Sequence, residues 1–340
     1  MTGEADPRVA ILIPTWNRRA DLLRCLASLT RLDYDNFAVV VVDNASADGT
    51  ASAVRERYPD CVVLENATNL GFAGGNNVGI RWALEHGSDF VLLINNDTEA
   101  TPGLVRELVR VARQDERIAA VGARNLLLED PARLWGAYGA LTFGPFVVRS
   151  EGQGEPDGPR WQTVRDVDWV IGNAMMLRRA PLERLGLLDE GFFAYHEDVD
   201  WCLRARAAGY RVVYAGTAAI LHQGGGTSDP GQAHSFPQWY FLGRNGVLLA
   251  RRHGRGAQRL RFALSCAAAF AARLARALLL RGAPAPQARA RGARFWRMEL
   301  AYGRGVIDAL RRRPVPFERL GLANCALHGD AGAEKQAAVC

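Results

Sequence analysis

The chain of 340 residues has almost no lysine: Lys335 is the only one, so arginine carries nearly all of the positive charge. It also lacks any CxxC pair. Its six cysteines (Cys25, Cys61, Cys202, Cys266, Cys325 and Cys340) are scattered, which argues against a disulfide framework or a zinc ribbon and fits a reducing compartment. The first residues, Met1 to Pro7, carry Glu4 and Asp6 and no apolar run, so no secretory leader is expected there. The first strand-to-helix turn, Pro14-Thr15-Trp16-Asn17-Arg18-Arg19, contains no glycine. That absence excludes a dinucleotide fingerprint, which needs glycines at that turn so that backbone can approach a pyrophosphate. The longest uncharged apolar stretch near the C-terminus, 262–272, is too short to cross a bilayer.

What is present is a full apolar share, 49% of residues, with eight Trp and thirteen Phe. That is enough apolar surface to offset the ordering entropy of one large domain or one domain with an appendage. The charge is unevenly placed. Residues 251–313 hold sixteen arginines against Glu299 and Asp308, while residues 1–250 hold 24 basic and 31 acidic side chains. A mildly acidic body with a strongly basic C-terminal region points to a polyanionic surface, either anionic lipid or nucleic acid.

Apolar runs and helical spacings alternate through the first 125 residues. Val9 to Ile13 reads as a buried strand, followed by a helix that Asn17 is placed to cap and that carries Leu22, Leu23, Leu26 and Leu29. Phe37 to Val42, Cys61 to Leu64, Phe90 to Ile94 and Ile118 to Ala123 read as further strands. Between them come a helix begun by Asp48, a glycine-rich loop over 69–75 with a helix over 78–85, and a helix with Pro102 near its first turn. This rhythm predicts an α/β fold with a mostly parallel sheet covered on both faces. Ligands in such folds bind beyond the carboxyl ends of the strands. Three polar clusters follow apolar strands: Pro14 to Asn17, Asp43 to Ser46, and Asn95 to Asp97. Gly71, Gly74 and Gly75 are placed to offer backbone N–H groups to a diphosphate, or to form an ordinary loop.

Glu197, Asp198 and Asp200 form a cluster of acids from which a general base could come, although three acids ahead of a helix over 201–208 also suit its N-terminal dipole. Asp200 is expected to pair with Arg204 one turn on. His196-Glu197-x-x-Asp200 is not a zinc HExxH site, because the second histidine is missing.

Six segments occur in order: VVVVDNASADGT (39–50), NLGFAGGNNVGI (69–80), LLINNDT (92–98), GNAMMLRR (172–179), FFAYHEDVDWCLRARAAGY (192–210) and LHQGGGTS (221–228). Together they resemble glycosyltransferase family 2, in the branch that includes bacterial rhamnosyltransferases, over about residues 8–250. The resemblance implies the GT-A nucleotide-sugar-binding fold, inversion at the anomeric carbon, and a divalent metal, Mg²⁺ or Mn²⁺. It implies Asp198 as the base with Glu197 orienting the acceptor or the base. It puts Asp97 and His222 at the metal, with Asn95 standing where the family's first aspartate would be. Donor contacts implied are Thr15, Asn17, Asp43, Gly71, Asn76, Asn77 and Asn96; Trp169, Gly172 and Asn173 fall on the acceptor side.

The resulting expectation is a GT-A catalytic domain over 1–250, a basic helical region over 251–320, and a flexible tail over 321–340. The basic region either lies on anionic membrane or packs on the body as a helical pair, with a hinge at Gly282 to Pro286. Nucleic acid is not expected as a partner, because the acidic body has no stacking platform or recognition helix. The expected activity moves a sugar, rhamnose preferred, from a nucleotide-diphosphate donor to a lipid-linked or growing glycan in bacterial polysaccharide or cell-wall assembly. The expected place is the cytoplasm, on the inner face of the membrane. The donor is dTDP-rhamnose or a UDP-sugar, and a non-catalytic nucleotide-sugar-binding module is the alternative.

Overall fold

The structure, a computed structural model, describes residues 5–223, 236–282, 286–322 and 324–326. In chain order it contains β1 (Val9–Thr15), α1 (Arg19–Leu29), β2 (Phe37–Asp43), α2 (Thr50–Arg57), β3 (Val62–Glu65), α3 (Gly71–Glu85), β4 (Phe90–Ile94), β5 (Thr98–Ala100), α4 (Leu104–Ala112) and β6 (Ile118–Leu127). Next come β7 (Leu134–Gly136), β8 (Gly139–Leu141), β9 (Val148–Ser150), β10 (Val164–Asp166), β11 (Ala174–Arg178), α5 (Arg179–Leu185), α6 (Glu197–Ala207) and β12 (Arg211–His222). Three long helices finish the described chain: α7 (Phe236–His253), α8 (Gly256–Arg281) and α9 (Pro286–Leu310).

The main sheet runs β10-β12-β6-β11-β4-β1-β2-β3, with β5 added to β12 and β7 to β6. β1, β2, β3 and β4 are parallel; β11 is antiparallel to both β4 and β6, and β6 is parallel to β12. The long strands therefore point one way except β11, as the alternating sequence pattern requires. Each apolar strand feeds two cores. Val9, Ile11 and Ile13 join one face of the sheet, and Ala10 and Leu12 join the other. A period of two with both faces covered explains why β1 reads as an unbroken apolar run.

Several local expectations are corrected. The glycine-rich segment is not a loop leading into a helix, because α3 already begins at Gly71. Its glycines serve close packing. A Cβ on Gly75 would meet Asn44 Nδ2 at 2.7 Å, and one on Gly79 would meet Leu12 Cδ1 at 3.0 Å and Val42 Cγ2 at 3.2 Å. Spaced four apart, these positions form one bare helix face that lies against β1 and β2. Asn17 does not cap α1; Arg18 precedes that helix, and Asn17 sits at φ 51° with its Oδ1 accepting from Ala47 N–H. The three acids at 197, 198 and 200 lie within the first turn of α6 rather than ahead of it.

The expected boundary at residue 250 falls inside α7. α9 packs tightly on α7: a Cβ on Gly243 would lie 2.3 Å from Tyr302 O, and one on Gly305 would lie 2.0 Å from Tyr240 O. The chain beyond 320 is not wholly a free tail. Leu320, Gly321 and Leu322 line a cavity of the body, and Asn324 O accepts from Asn69 N–H at 2.8 Å. The glycines at 224–226, most of the expected hinge and residues 327–340 lie outside the described residues.

α8 is long and apolar enough, by length and composition, to cross a bilayer, and only 11% of its most apolar stretch is buried. The arginines that interrupt the apolar residues fold onto partners. Arg273 pairs with Glu299 at 2.7 Å, Arg276 lies over the Phe295 ring, and Arg281 lies over Trp296. What α8 leaves outward is Leu260, Leu264, Leu278 and Leu279, the last 77% exposed.

Candidate active site

The sheet brings the three polar clusters to one edge. Thr15 at the end of β1 pairs with Asp43 at the end of β2, and Asn96 Nδ2 donates to Thr15 Oγ1 at 2.9 Å. Asn17 N–H donates to Ser46 Oγ, which ties the first cluster to the second. Above this edge lies a cavity of about 630 Å³ lined by Thr15, Trp16, Asn17, Gly71, Asn96 and Asp97, among others. A second cavity of about 460 Å³ is lined by Trp169, Gly172, Asn173, Glu197, Asp198 and His222. The two share Phe72, Asn95, Ala194 and Tyr195 as a common wall.

β-pairing explains how Asp97 meets His222. β5 runs antiparallel to β12 with Thr98 opposite His222, so residue 97 is carried to the end of β12. His222 Nε2 lies 3.3 Å from Asp97 Oδ1, and the His222 ring packs on Trp135 at 4.4 Å. Burial raises the Asp97 carboxyl, but the His222 imidazole and the Arg18 charge outweigh it and leave the group below its ordinary range.

The donor set suits a divalent cation. Asn95 Oδ1 and His222 Nδ1 are buried without hydrogen-bond partners, and Asp97 Oδ1 has only the His222 contact at 3.3 Å. Among the described residues no group of three or more His, Cys, Asp or Glu is gathered for a metal, so the protein offers one carboxylate and one imidazole. A hard cation held this way keeps positions for other oxygen ligands.

The acids of the second cavity are held by α6 and the turn before β11. Asp198 Oδ2 accepts from Gly172 N–H at 2.9 Å and its Oδ1 accepts from Val199 N–H at 2.8 Å. Burial pushes Asp198 up to about 6 against those two bonds. Burial, then the neighbouring charge of Asp198, lifts Glu197 well above the carboxylate range, and its Oε2 has no partner. His196 is pushed down to about 4 by burial and stays neutral. Asp200 is different. Its burial is outweighed by bonds from His253, Arg252 and Arg204, each at 2.8 Å, which bring it down to about 2. The expected pairing with Arg204 is present, and Asp200 fastens α6 to α7.

The turn before α6 is strained. Phe193, Tyr195 and His196 have φ of 63°, 67° and 76°. Such conformations cost about 1–3 kcal/mol each for a non-glycine residue. Asn245 on α7 holds this turn, its Nδ2 donating to the carbonyls of Phe192, Ala194 and Tyr195 at 3.0, 2.8 and 2.8 Å. Arg244 Nη1 adds a bond to Gly191 O at 2.7 Å. Gly71 fits beneath, at φ 71°, where a Cβ would lie 2.4 Å from Phe193 O.

Not every expected donor contact reaches the cleft. Asn77 is 2% exposed, and its amide is used on Leu188 N–H, Leu188 O and Glu190 Oε1. Asn76 is fully buried inside α3 and donates to Phe72 O. Asp43 is 3% exposed and accepts from Ser46 N–H, and its neighbour Asn44 lines the cavity instead. The N–H groups of Gly71 and Ala73 are taken by Asn69 Oδ1 and Phe193 O, so the start of α3 is not a free anion cradle. Trp169 lines the second cavity with its ring packed over Gly139. Phe72, Ala194, Tyr195 and Trp135 were not singled out from sequence; they line the cavities, and Asn245 supports them. Phe72 lies in the segment 69–80 and Ala194 and Tyr195 in the segment 192–210 that carry the resemblance; Trp135 lies in none of them.

Two solved structures show the fold. A mannosyltransferase from Pyrobaculum calidifontis, solved with GDP-Man and Mn²⁺, superimposes with a TM-score of 0.55 at 19% identity, over 91% of this chain and 89% of that one. GalNAc-T7, solved with UDP, GalNAc and Mn²⁺, superimposes with a TM-score of 0.58 at 15% identity, over 71% of this chain and 48% of that one. The architecture is thus GT-A, a mixed α/β fold with a helical C-terminal region. In sequence, the chain is 30% identical over 239 residues to an N-acetylglucosaminyl-diphospho-decaprenol L-rhamnosyltransferase of Mycobacterium tuberculosis, covering 64% of this chain and 75% of that protein. The family model described as "Glycosyltransferase like family 2" matches residues 7–236, and the chain belongs to that family.

Proposed function

We propose that the protein is an inverting hexosyltransferase that moves a sugar, with rhamnose preferred, from a nucleoside-diphosphate donor to a lipid-linked or growing glycan acceptor. The observation that carries this reading is the shared wall between the cavity of Asp97 and the cavity of Asp198. A donor in the first and an acceptor in the second meet at Phe72, Asn95, Ala194 and Tyr195.

Asp198 takes the proton of the acceptor hydroxyl as that oxygen attacks the anomeric carbon. A base near 6 is ionised at neutral pH yet basic enough to share a proton in the transition state. The Gly172 N–H fixes which way the carboxylate faces. Glu197, its carboxyl held well above the ordinary range by burial and by Asp198, orients the acceptor or the base. One displacement with no covalent intermediate inverts the sugar, unlike the paired carboxylates of a retaining glycosidase. Asp97 and His222 would hold a divalent cation, Mg²⁺ or Mn²⁺, which when bound neutralises charge on the departing diphosphate. Thr15, Asn17 and Asn96 line the donor cavity and Trp169, Gly172 and Asn173 the acceptor cavity.

The preference for rhamnose and a lipid-linked acceptor is supported by what the mycobacterial relative is named for. The solved neighbours hold GDP-Man or UDP, which keeps a UDP-hexose as the second reading of the donor. The leucines that α8 turns outward, beside the arginines of 251–313, support a peripheral place on the cytoplasmic face of the membrane. The test is a thermal-shift screen across nucleotide-sugars with and without Mn²⁺, followed by product analysis. Stabilisation by dTDP-rhamnose that grows with Mn²⁺, with release of dTDP on acceptor addition, is the expected result. A larger shift with a UDP-sugar reassigns the donor. Binding without turnover on any acceptor favours the non-catalytic module.

A further inference from the structure

Two cavities of opposite chemistry lie among α7, α8 and α9, away from the sugar-transfer cleft. One, of about 370 Å³, is lined by Arg244, Leu248, Arg251, Ala309, Arg312 and Arg313. Four of those six residues are arginines, and no carboxylate lines it among the described residues. Arg244 is 9% exposed, and its Nε is buried without a partner although its Nη1 is bonded. Arg313 has only a distant partner, with Asp308 Oδ1 at 3.8 Å. A buried guanidinium N–H left unpaired is costly unless an acceptor arrives. Guanidinium forks match phosphate oxygens in geometry and charge.

The second cavity is a groove of about 510 Å³ whose walls include Phe262, Ala263, Cys266, Phe270, Ile307 and Leu310. Its surface is almost wholly apolar, and Ile307 and Leu310 at its edge are exposed. Arg251 lines both cavities, and its Nη1 reaches Ala309 O at 3.3 Å. A phosphate pocket beside an apolar groove is the outline of an amphiphile.

We propose that these adjoining cavities bind one anionic phospholipid of the bilayer, its phosphate headgroup among Arg244, Arg251, Arg312 and Arg313 and an acyl chain along the α8–α9 groove. The proposal rests on the peripheral-membrane reading above and adds a defined site to it. The charge argues for phosphate over a zwitterionic headgroup. The groove argues for a lipid over a free anion, because apolar burial contributes only if the ligand has a tail. Arg244 also holds Gly191 O, at the start of the turn that leads to Asp198. An occupied pocket therefore braces that turn from behind.

The test titrates the full chain with dihexanoyl phosphatidylglycerol below its micellar concentration, by calorimetry. Saturable binding of one lipid per chain is expected, with no binding of dihexanoyl phosphatidylcholine. Arg312→Gln with Arg313→Gln should weaken binding by about tenfold or more. Arg291→Gln with Arg294→Gln removes the same charge from exposed positions of α9 outside the pocket and should leave it unchanged. Equal loss in the two double variants means diffuse attraction only and overturns the site. Equal binding of glycerol phosphate means a free-anion pocket and overturns the lipid. Pelleting of the wild-type chain with phosphatidylglycerol vesicles is measured beside these. Pelleting without short-chain lipid binding removes this site and leaves the membrane reading standing; failure to pellet removes both.

Discussion

The Nδ2 group of Asn245 donates to the carbonyl of Tyr195 at 2.8 Å, so a residue of α7 holds the backbone that delivers Asp198 to the cleft. The same amide reaches Phe192 and Ala194. Asn245→Ala should lower kcat by about a hundredfold or more while donor affinity changes little, because the strained turn relaxes and the base moves. Asn245→Asp should be worse, since a carboxylate would face three carbonyl oxygens with no proton to offer. Steady-state kinetics of both variants, with donor binding measured separately, check this. A loss confined to thermal stability would reduce Asn245 to a packing role.

Asp198→Asn should cut transfer by about 10²–10⁴-fold, the usual contribution of a general base, and leave nucleotide-sugar binding intact. It should also raise the melting temperature at pH 8. Burial lifts the folded-state pKa to about 6, above its unfolded value, so the ionised carboxylate destabilises the fold at high pH and the amide removes that penalty. Activity without the carboxylate would remove the base assignment.

The same shift sets a pH profile. Asp198 must be ionised to accept a proton, so kcat/KM should fall on the acid side with an apparent pKa near 6 rather than near 4. Stability behaves differently. Asp200, brought down to about 2, contributes stability above its unfolded pKa and loses it as pH falls from about 4 toward 2. Activity should therefore decline well before the fold does. Circular dichroism beside the rate profile separates the two.

His222→Ala should raise the Mn²⁺ concentration needed for half-maximal donor stabilisation by about tenfold or more, and Asp97→Asn should raise it further by removing the carboxylate of the pair. Thermal shift with dTDP or UDP at varied Mn²⁺ is the readout. Unchanged metal dependence in both variants would move the cation elsewhere.

Asn77→Ala tests whether Asn77 contacts the donor. Its amide joins α3 to Leu188 and Glu190, so the variant should lose about 2–4 kcal/mol of stability by leaving buried groups unpaired, with donor affinity unchanged in the folded fraction. Weaker donor binding at constant stability would return Asn77 to the site.

The parallel strands were legible in the residues alone, because a strand covered on both faces must be apolar at every position, and Val9 to Ile13 and Phe90 to Ile94 are. The sequence also located the polar clusters, since they stop those runs at the edge where ligands bind. Motif order added the acids at 197 and 198. It did not reveal that the glycines of α3 are there for packing, because close approach of a helix to a sheet leaves the same letters as a flexible loop. Nor did it show Asn76 and Asn77 turned inward: a helix carries its side chains all round, and only packing decides which face meets the cleft. Tertiary structure alone placed Asn245 behind the turn at 192–195, brought Asp97 to His222 through β5 and β12, and set four arginines around one pocket. Those relations join residues far apart in sequence, and local periodicity carries no information about them.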